Sequence, residues 1–152
     1  TRQAQMITWM PYIDLECYDP PCLQSVWYRL TEDEAGDGWW LNCNIRFRSN
    51  DAWGASFMNM FGFVMFNRDV VAAEIARRTS RTVRLGRLNW QADSYHIYGK
   101  DIAEAKARLF DRIPRDQLAD STYEFSDPTI QEMYHDAAAA VRAKIADYDR
   151  NH

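Results

Sequence analysis

The strongest pattern in the chain is a ten-residue alternation from Trp39 to Arg48. Trp39, Leu41, Cys43, Ile45 and Phe47 fall on one side, and Trp40, Asn42, Asn44, Arg46 and Arg48 on the other. A period of two is the pleat of a β-strand with one buried face. Gln24 to Leu30 reads as a preceding strand, joined through the polar, glycine-bearing stretch 31–38, and Met6 to Pro11 as a short first strand. The acidic, proline-punctuated run Asp14 to Pro21 reads as a loop. Ser56 to Arg78 predicts a helix, entered through Ser49-Asn50-Asp51, whose first half is apolar on nearly every side. Such a helix is expected at the centre of a fold. Thr82 to Tyr98 is strand-like with interruptions, and Asp101 to Phe110 is helical. Pro128 to Tyr148 is a helix with an apolar stripe at Ile130, Met133, Tyr134, Ala137, Val141, Ile145 and Tyr148. The expectation is an α/β fold of the α+β type, a single domain over residues 1–152, with a mostly antiparallel mixed sheet packed on a central buried helix.

Charge and composition narrow the function classes. The 152 residues carry 18 Lys+Arg against 22 Asp+Glu, a net −4, so no basic excess invites nucleic acid. No apolar run is long enough for a membrane span, and the first residues form no signal-peptide core. Cys17, Cys22 and Cys43 are odd in number and fit neither a disulfide framework nor a four-ligand zinc site. Free thiols point to a reducing compartment, with the cytoplasm as the expected location. His96, His135 and His152 lie too far apart for a local metal motif, and no metal is expected.

The candidate chemistry comes from turn geometry. If Gln24–Leu30 and Trp39–Arg48 form a hairpin, pairing Leu30 with about Trp39 brings Cys22 level with residues 46–48. A thiol beside a guanidinium that cannot lose its proton has a physical reason to act as a nucleophile; the plain alternative is a small buried hydrophobe. Arg48-Ser49 at a strand end can donate to a phosphate, and Asp51 can cap the following helix or fix a polar ligand ring. Asn59, amid Phe57, Met58, Met60 and Phe61, is either a backbone clamp or a reader of a heterocycle edge. His96 and Tyr98 share one face of a strand, where both can bond a sugar hydroxyl or simply finish a polar strand end.

In this order and at these separations the pieces resemble the thymidylate synthase superfamily, which includes the pyrimidine nucleotide hydroxymethylases. The family's proline-cysteine motif matches Pro20-Pro21-Cys22, and its phosphate-binding arginine-serine followed by aspartate matches Arg48-Ser49-Asn50-Asp51. Its base-reading asparagine falls on Asn59 and its sugar-binding His-x-Tyr on His96-Ile97-Tyr98. By spacing, Arg2 corresponds to the arginine that enters the neighbouring subunit's phosphate site, with Trp9 following it. The wording of these motifs is closest to the divergent branch found in archaea and some bacteria. Departures are Leu23 for a histidine, Phe47 for a glutamine and Gln3 for a second arginine. The family's amino-terminal third and its closing carboxy-terminal segment have no counterpart here, and nothing beyond Asp101 is recognisable.

The resemblance implies a thymidylate synthase-like fold and a homodimer with shared sites. It implies a transferase that methylates dUMP to dTMP, with 5,10-methylenetetrahydrofolate or a related reduced pterin as co-substrate. Cys22 would add to C6 of the pyrimidine nucleotide monophosphate. Asn59 would read the base, Arg48, Ser49 and the partner's Arg2 would hold phosphate, His96 and Tyr98 the 3′-hydroxyl, and Asp51 the pterin side. Two alternatives stay open: a dUMP or cytidylate hydroxymethylase, and a non-catalytic nucleotide-binding or dimerisation fragment of a longer protein.

Overall fold

The computed structural model describes residues 2–113 and 124–151, which divide into two compact units, Thr1–Ala105 and Lys106–His152. The first unit is a four-stranded mixed sheet with helices, ordered β1 (Gln5–Ile7), β2 (Leu23–Glu32), β3 (Gly38–Asp51) and β4 (Thr82–His96). The first two pairings are antiparallel; the third, between the two longest strands, is parallel. A parallel pair needs a crossover. It is supplied by α2 (Ser56–Phe66), a π-helical stretch (Asn67–Ala72) and α3 (Ala73–Thr79). The antiparallel expectation therefore holds for two pairings and fails for the most extensive one.

The core follows from the alternation. Cys43, Ile45 and Phe47 of β3 and Val26 of β2 are buried, with Phe63 of α2 and Leu88, Trp90 and Ala92 of β4 packed against them. Phe47 stacks on Trp90 at 4.6 Å between ring centres and meets Phe63 edge-on at 6.4 Å. One polar cluster enters this core. The Tyr28 hydroxyl donates to Asn67 Oδ1 at 2.8 Å, and Cys43 lies beside both; burial pushes the phenol and the thiol above their ordinary pKa values. Asn67, first residue of the π-helical stretch, is 3% exposed.

The helix is less enclosed than its composition suggests. In the first unit Phe57 and Met58 are 72% and 64% exposed, because the sheet covers one side of α2 and its apolar surface runs all the way round. Elsewhere the first strand stops at Ile7, and Pro11–Asp14 forms a helical turn, α1, with the Met10 amide donating to Asp14 Oδ2 at 2.5 Å. Proline is tolerated at the first helical position, so the Pro11 that suggested a strand end instead starts the turn. β4 is one strand whose interruption is a bulge near Gly86. The stretch 101–110 is split into a 3-10 turn (Gly99–Asp101), α4 (Ile102–Ala105) and a π turn (Lys106–Phe110). The acidic hairpin turn is pinned, not merely solvated: Arg84 reaches Asp33 at 2.7 Å and Asp37 at 3.2 Å. Gly36 takes φ +71° there, a conformation that favours glycine. In the second unit, α5 (Pro128–Asn151) confirms the predicted long helix.

Removing the ring at the centre of the core should be the most damaging truncation of the sheet. Phe47→Ala is expected to cost about 3–5 kcal/mol in urea unfolding, and a loss under about 1 kcal/mol would show that the Phe47–Trp90–Phe63 packing is not the core.

Candidate active site

The site is built at one end of the sheet. β3 and β4 run parallel, so their carboxyl ends coincide: Ser49 pairs with Ser94, Asn50 with Tyr95 and Asp51 with His96. β2 runs the other way, which brings its beginning to the same end, with Leu23 opposite Phe47 and the Arg48 amide bonded to the Cys22 carbonyl at 2.8 Å. The carboxyl ends of parallel strands are where open α/β sheets place ligands. The hairpin is shifted two residues from the expected register, Leu30 facing Leu41, and an irregularity between Leu23 and Ser25 absorbs one of them. Cys22 and Arg48 are neighbours through their main chains.

The Arg48 side chain reaches the loop that precedes Cys22. Its Nη2 donates to the Pro20 carbonyl at 2.5 Å and its Nε to the Pro21 carbonyl at 3.2 Å, while Asp19 lies 3.6 Å from Nη2. A guanidinium has five N–H donors. Arg48 therefore holds the backbone before Cys22 in place, and among the described residues its Nη1 makes no hydrogen bond. Cys22 is exposed, as is Cys17, whereas Cys43 is buried; all three are free thiols.

Asp51 closes the strand and opens the helix. Its Oδ1 accepts from the Trp53 amide at 3.0 Å. The Gly54 amide is the main cause holding its carboxyl below the usual carboxylate range, with the Trp53 amide, His96 and Lys100 adding to it. A Cβ at position 54 would sit 2.6 Å from Asp51 Oδ2, so the close approach requires glycine. On β4, Ser94 Oγ lies 3.4 Å from His96 Nδ1, and the His96 and Tyr98 rings meet edge to face at 4.9 Å. The strand ends at His96, so Tyr98 stands just past it rather than on its face. Asn59 is in the first turn of α2, half-buried in an apolar groove of about 390 Å³ with Met6, Met58, Gly62, Phe63 and Phe66. Among the described residues no hydrogen bond joins its amide to Cys22 or Arg48. Arg2 is exposed; its carbonyl accepts from Trp27 Nε1 at 3.2 Å, five strand positions from Cys22, or roughly 17 Å along β2.

Three features escaped the sequence reading. Asn50 is 3% exposed, and among the described residues neither atom of its side-chain amide has a hydrogen-bond partner. Tyr95 donates to Ser56 Oγ at 3.0 Å, tying the end of β4 to the start of α2. The Pro20 and Pro21 carbonyls are the ligands of Arg48, and nothing in the sequence distinguishes a carbonyl that faces a guanidinium from one that faces water. Among the described residues no group of three His, Cys, Asp or Glu could hold a metal ion, and no helix is long and apolar enough to cross a membrane.

A thiol, a guanidinium, hydroxyls, a carboxylate and an imidazole thus share one strand-end edge, a set suited to an anionic ligand with a polar ring beside a nucleophile. No family model matches the chain. It is similar over 106 residues, 70% of its length, to two archaeal proteins each named "Putative thymidylate synthase". The one from Methanothermobacter marburgensis is 33% identical and the one from Methanothermobacter thermautotrophicus 30% identical. The matched stretch is 42% of each, so the chain spans less than half the length of these curated relatives.

The Asp51 cap sets two expectations. Gly54→Ala should push the carboxylate off its amide bonds and cost about 1–3 kcal/mol in denaturant unfolding; an unchanged midpoint would mean the cap is not formed. Because the folded Asp51 carboxyl titrates below the unfolded value of about 3.9, its stabilisation is complete above that value and is lost as pH falls through the lower folded one. Asp51→Asn should therefore flatten the acid limb of a stability-against-pH curve, and an unaltered limb would contradict the shift.

Proposed function

We propose that this chain is a thymidylate synthase-like catalytic domain over residues 1–152, a transferase adding a one-carbon unit to C5 of a pyrimidine nucleotide, with dUMP as substrate and dTMP as product. The observation that carries this reading is the convergence of Cys22, Arg48, Ser49, Asp51 and His96 on one sheet end, in the order the family uses them. Similarity to the two archaeal proteins supports it.

In this mechanism the Cys22 thiolate adds to C6 of the ring, and the displaced π electrons make C5 an enolate carbon. The amide of Asn59 donates to O4 and accepts from N3–H, stabilising charge where it develops. C5 then bonds to the methylene carbon carried by 5,10-methylenetetrahydrofolate. Loss of the C5 proton and cleavage of the bond from the methylene carbon to the carrier's nitrogen leave an exocyclic methylene beside the still-bound tetrahydrofolate. Hydride from the carrier reduces it, Cys22 leaves C6, and the carrier departs as dihydrofolate. Arg48, Ser49 and Arg2 of the partner subunit hold the 5′-phosphate of a homodimer with shared sites. His96 and Tyr98 hold the 3′-hydroxyl, and Asp51 faces the pterin through the lone pairs its own cap leaves over. The distance between Arg2 and its own Cys22 edge is in keeping with service to a second subunit. The free thiols suit the cytoplasm. In the hydroxymethylase version of the same chemistry, water in place of hydride captures the exocyclic methylene.

The length of the relatives favours one other reading, a non-catalytic nucleotide-binding fragment. Incubation with 5-fluoro-dUMP and methylenetetrahydrofolate separates them: the fluorine blocks loss at C5, so mass spectrometry should find a covalent ternary adduct that is absent in Cys22→Ser. No adduct in the wild-type chain, with dUMP still bound by calorimetry, would establish the fragment reading. Asn59→Asp should shift binding from uracil toward cytosine nucleotides by at least about tenfold, one hydrogen bond's worth of discrimination; unchanged selectivity would remove Asn59 from the base pocket.

A further inference from the structure

We propose that Ser94 is a positioning residue for His96: its hydroxyl donates to Nδ1 and so fixes the imidazole as an Nε2–H donor for a sugar hydroxyl. The effect of Ser94 on the ring stands on the strand end alone, whereas the sugar rests on the function proposed above.

Where the apolar core stops, the same face of the sheet continues as a polar strip. Phe47 and Ala92, paired across β3 and β4, belong to the core. The next residues on that face are Ser49 and Ser94, paired with each other, and then Asp51 and His96, paired likewise. His96 is held from two directions. Its carbonyl accepts from the Ala52 amide at 2.7 Å, and its ring meets that of Tyr98 edge to face at 4.9 Å. These contacts place the ring but do not decide which nitrogen carries the proton. Among the described residues one polar side chain comes within hydrogen-bond reach of the imidazole: Ser94 Oγ, 3.4 Å from Nδ1.

The chemistry of the neighbours gives that bond its direction. Which nitrogen of a neutral histidine is protonated is set by the hydrogen bond the other one makes. A carbonyl or carboxylate can only accept, and would draw the proton to Nδ1. The carboxylate beside His96 in the ladder is Asp51, and it is taken up by the entry to α2: its Oδ1 accepts from the Trp53 amide at 3.0 Å, and the Gly54 amide bonds to it as well. Among the described residues no hydrogen bond joins it to the ring. A hydroxyl, by contrast, can give its own proton. Ser94 therefore satisfies the Nδ1 lone pair and leaves the ring proton on Nε2, the nitrogen farther from the backbone. In that form His96 offers a donor, which suits the oxygen of a hydroxyl and not an N–H group. Within the proposed site that hydroxyl is the nucleotide's 3′-hydroxyl, and Ser94 acts on it only through His96.

Nitrogen NMR of the whole chain with labelled histidine reads the tautomer directly, and His96→Gln identifies its signals among the three histidines. At about pH 9, well above the ordinary imidazole value, the wild-type ring should carry its proton on Nε2. Ser94→Ala should give a mixture of the two tautomers, and Ser94→Thr, which keeps a hydroxyl, should restore the wild-type pattern. Calorimetry then tests the sugar. Ser94→Ala should weaken dUMP binding several-fold and leave the binding of 2′,3′-dideoxyuridine 5′-monophosphate, which lacks the hydroxyl, unchanged. A wild-type ring protonated on Nδ1, a tautomer unmoved by Ser94→Ala, or no recovery in Ser94→Thr would overturn the positioning role. Equal weakening for both nucleotides would overturn the sugar contact. A wild-type chain that binds no dUMP would instead contradict the proposed function, and the NMR result would still decide what Ser94 does to His96.

Discussion

The hold of Arg48 on the backbone before Cys22 is the constraint on which the site depends. A cysteine at the end of an exposed loop has no fixed position of its own, and Pro20-Pro21 stiffens the approach without anchoring it. The anchor is a charged side chain from the neighbouring strand that grips two successive carbonyls, together with the ladder bond from the Arg48 amide to the Cys22 carbonyl. Charge-assisted bonds of this kind are stronger than neutral ones. The same residue fixes the loop that carries the thiol and, in the proposed mechanism, would also present donors to the phosphate.

The second requirement is the direction of β4. Because the α2–α3 crossover returns the chain parallel to β3, the strand end that carries Arg48, Ser49 and Asp51 lies beside the strand end that carries Ser94 and His96. An antiparallel β4 would have sent those residues to opposite ends of the sheet. Asp51 then turns the chain directly into α2, so Asn59 emerges one helical turn from the same edge, and the Tyr95–Ser56 bond ties the two approaches together.

Much of this was legible from residues alone. The alternation from Trp39 to Phe47 marked the core face correctly, because a central strand obeys the pleat with little interference from its neighbours. Antiparallel counting brought Cys22 to Arg48 despite a two-residue register error, because the irregularity near Ser25 partly cancelled it. The parallel pairing was less accessible: a period of two is the same in either direction, and only the length of the intervening helix argues for a crossover. The exposure of α2 was misjudged for a related reason, since an apolar surface records what a helix is suited to touch and not how many partners the fold supplies. Long-range polar partners, such as Arg84 with Asp33 or Tyr28 with Asn67, leave no local trace at all.

Amide hydrogen exchange in the wild-type chain and in Arg48→Ala measures the Arg48 hold most directly. Loss of the guanidinium should speed exchange across residues 17–23 and at the amide of residue 48 by about tenfold, the effect of losing roughly one charge-assisted bond, while Val26 and Ile45 in the core keep their protection. Unchanged exchange in the loop would mean that Cys22 is held by something else, and uniform acceleration through the core would mean that Arg48 supports the fold rather than the site.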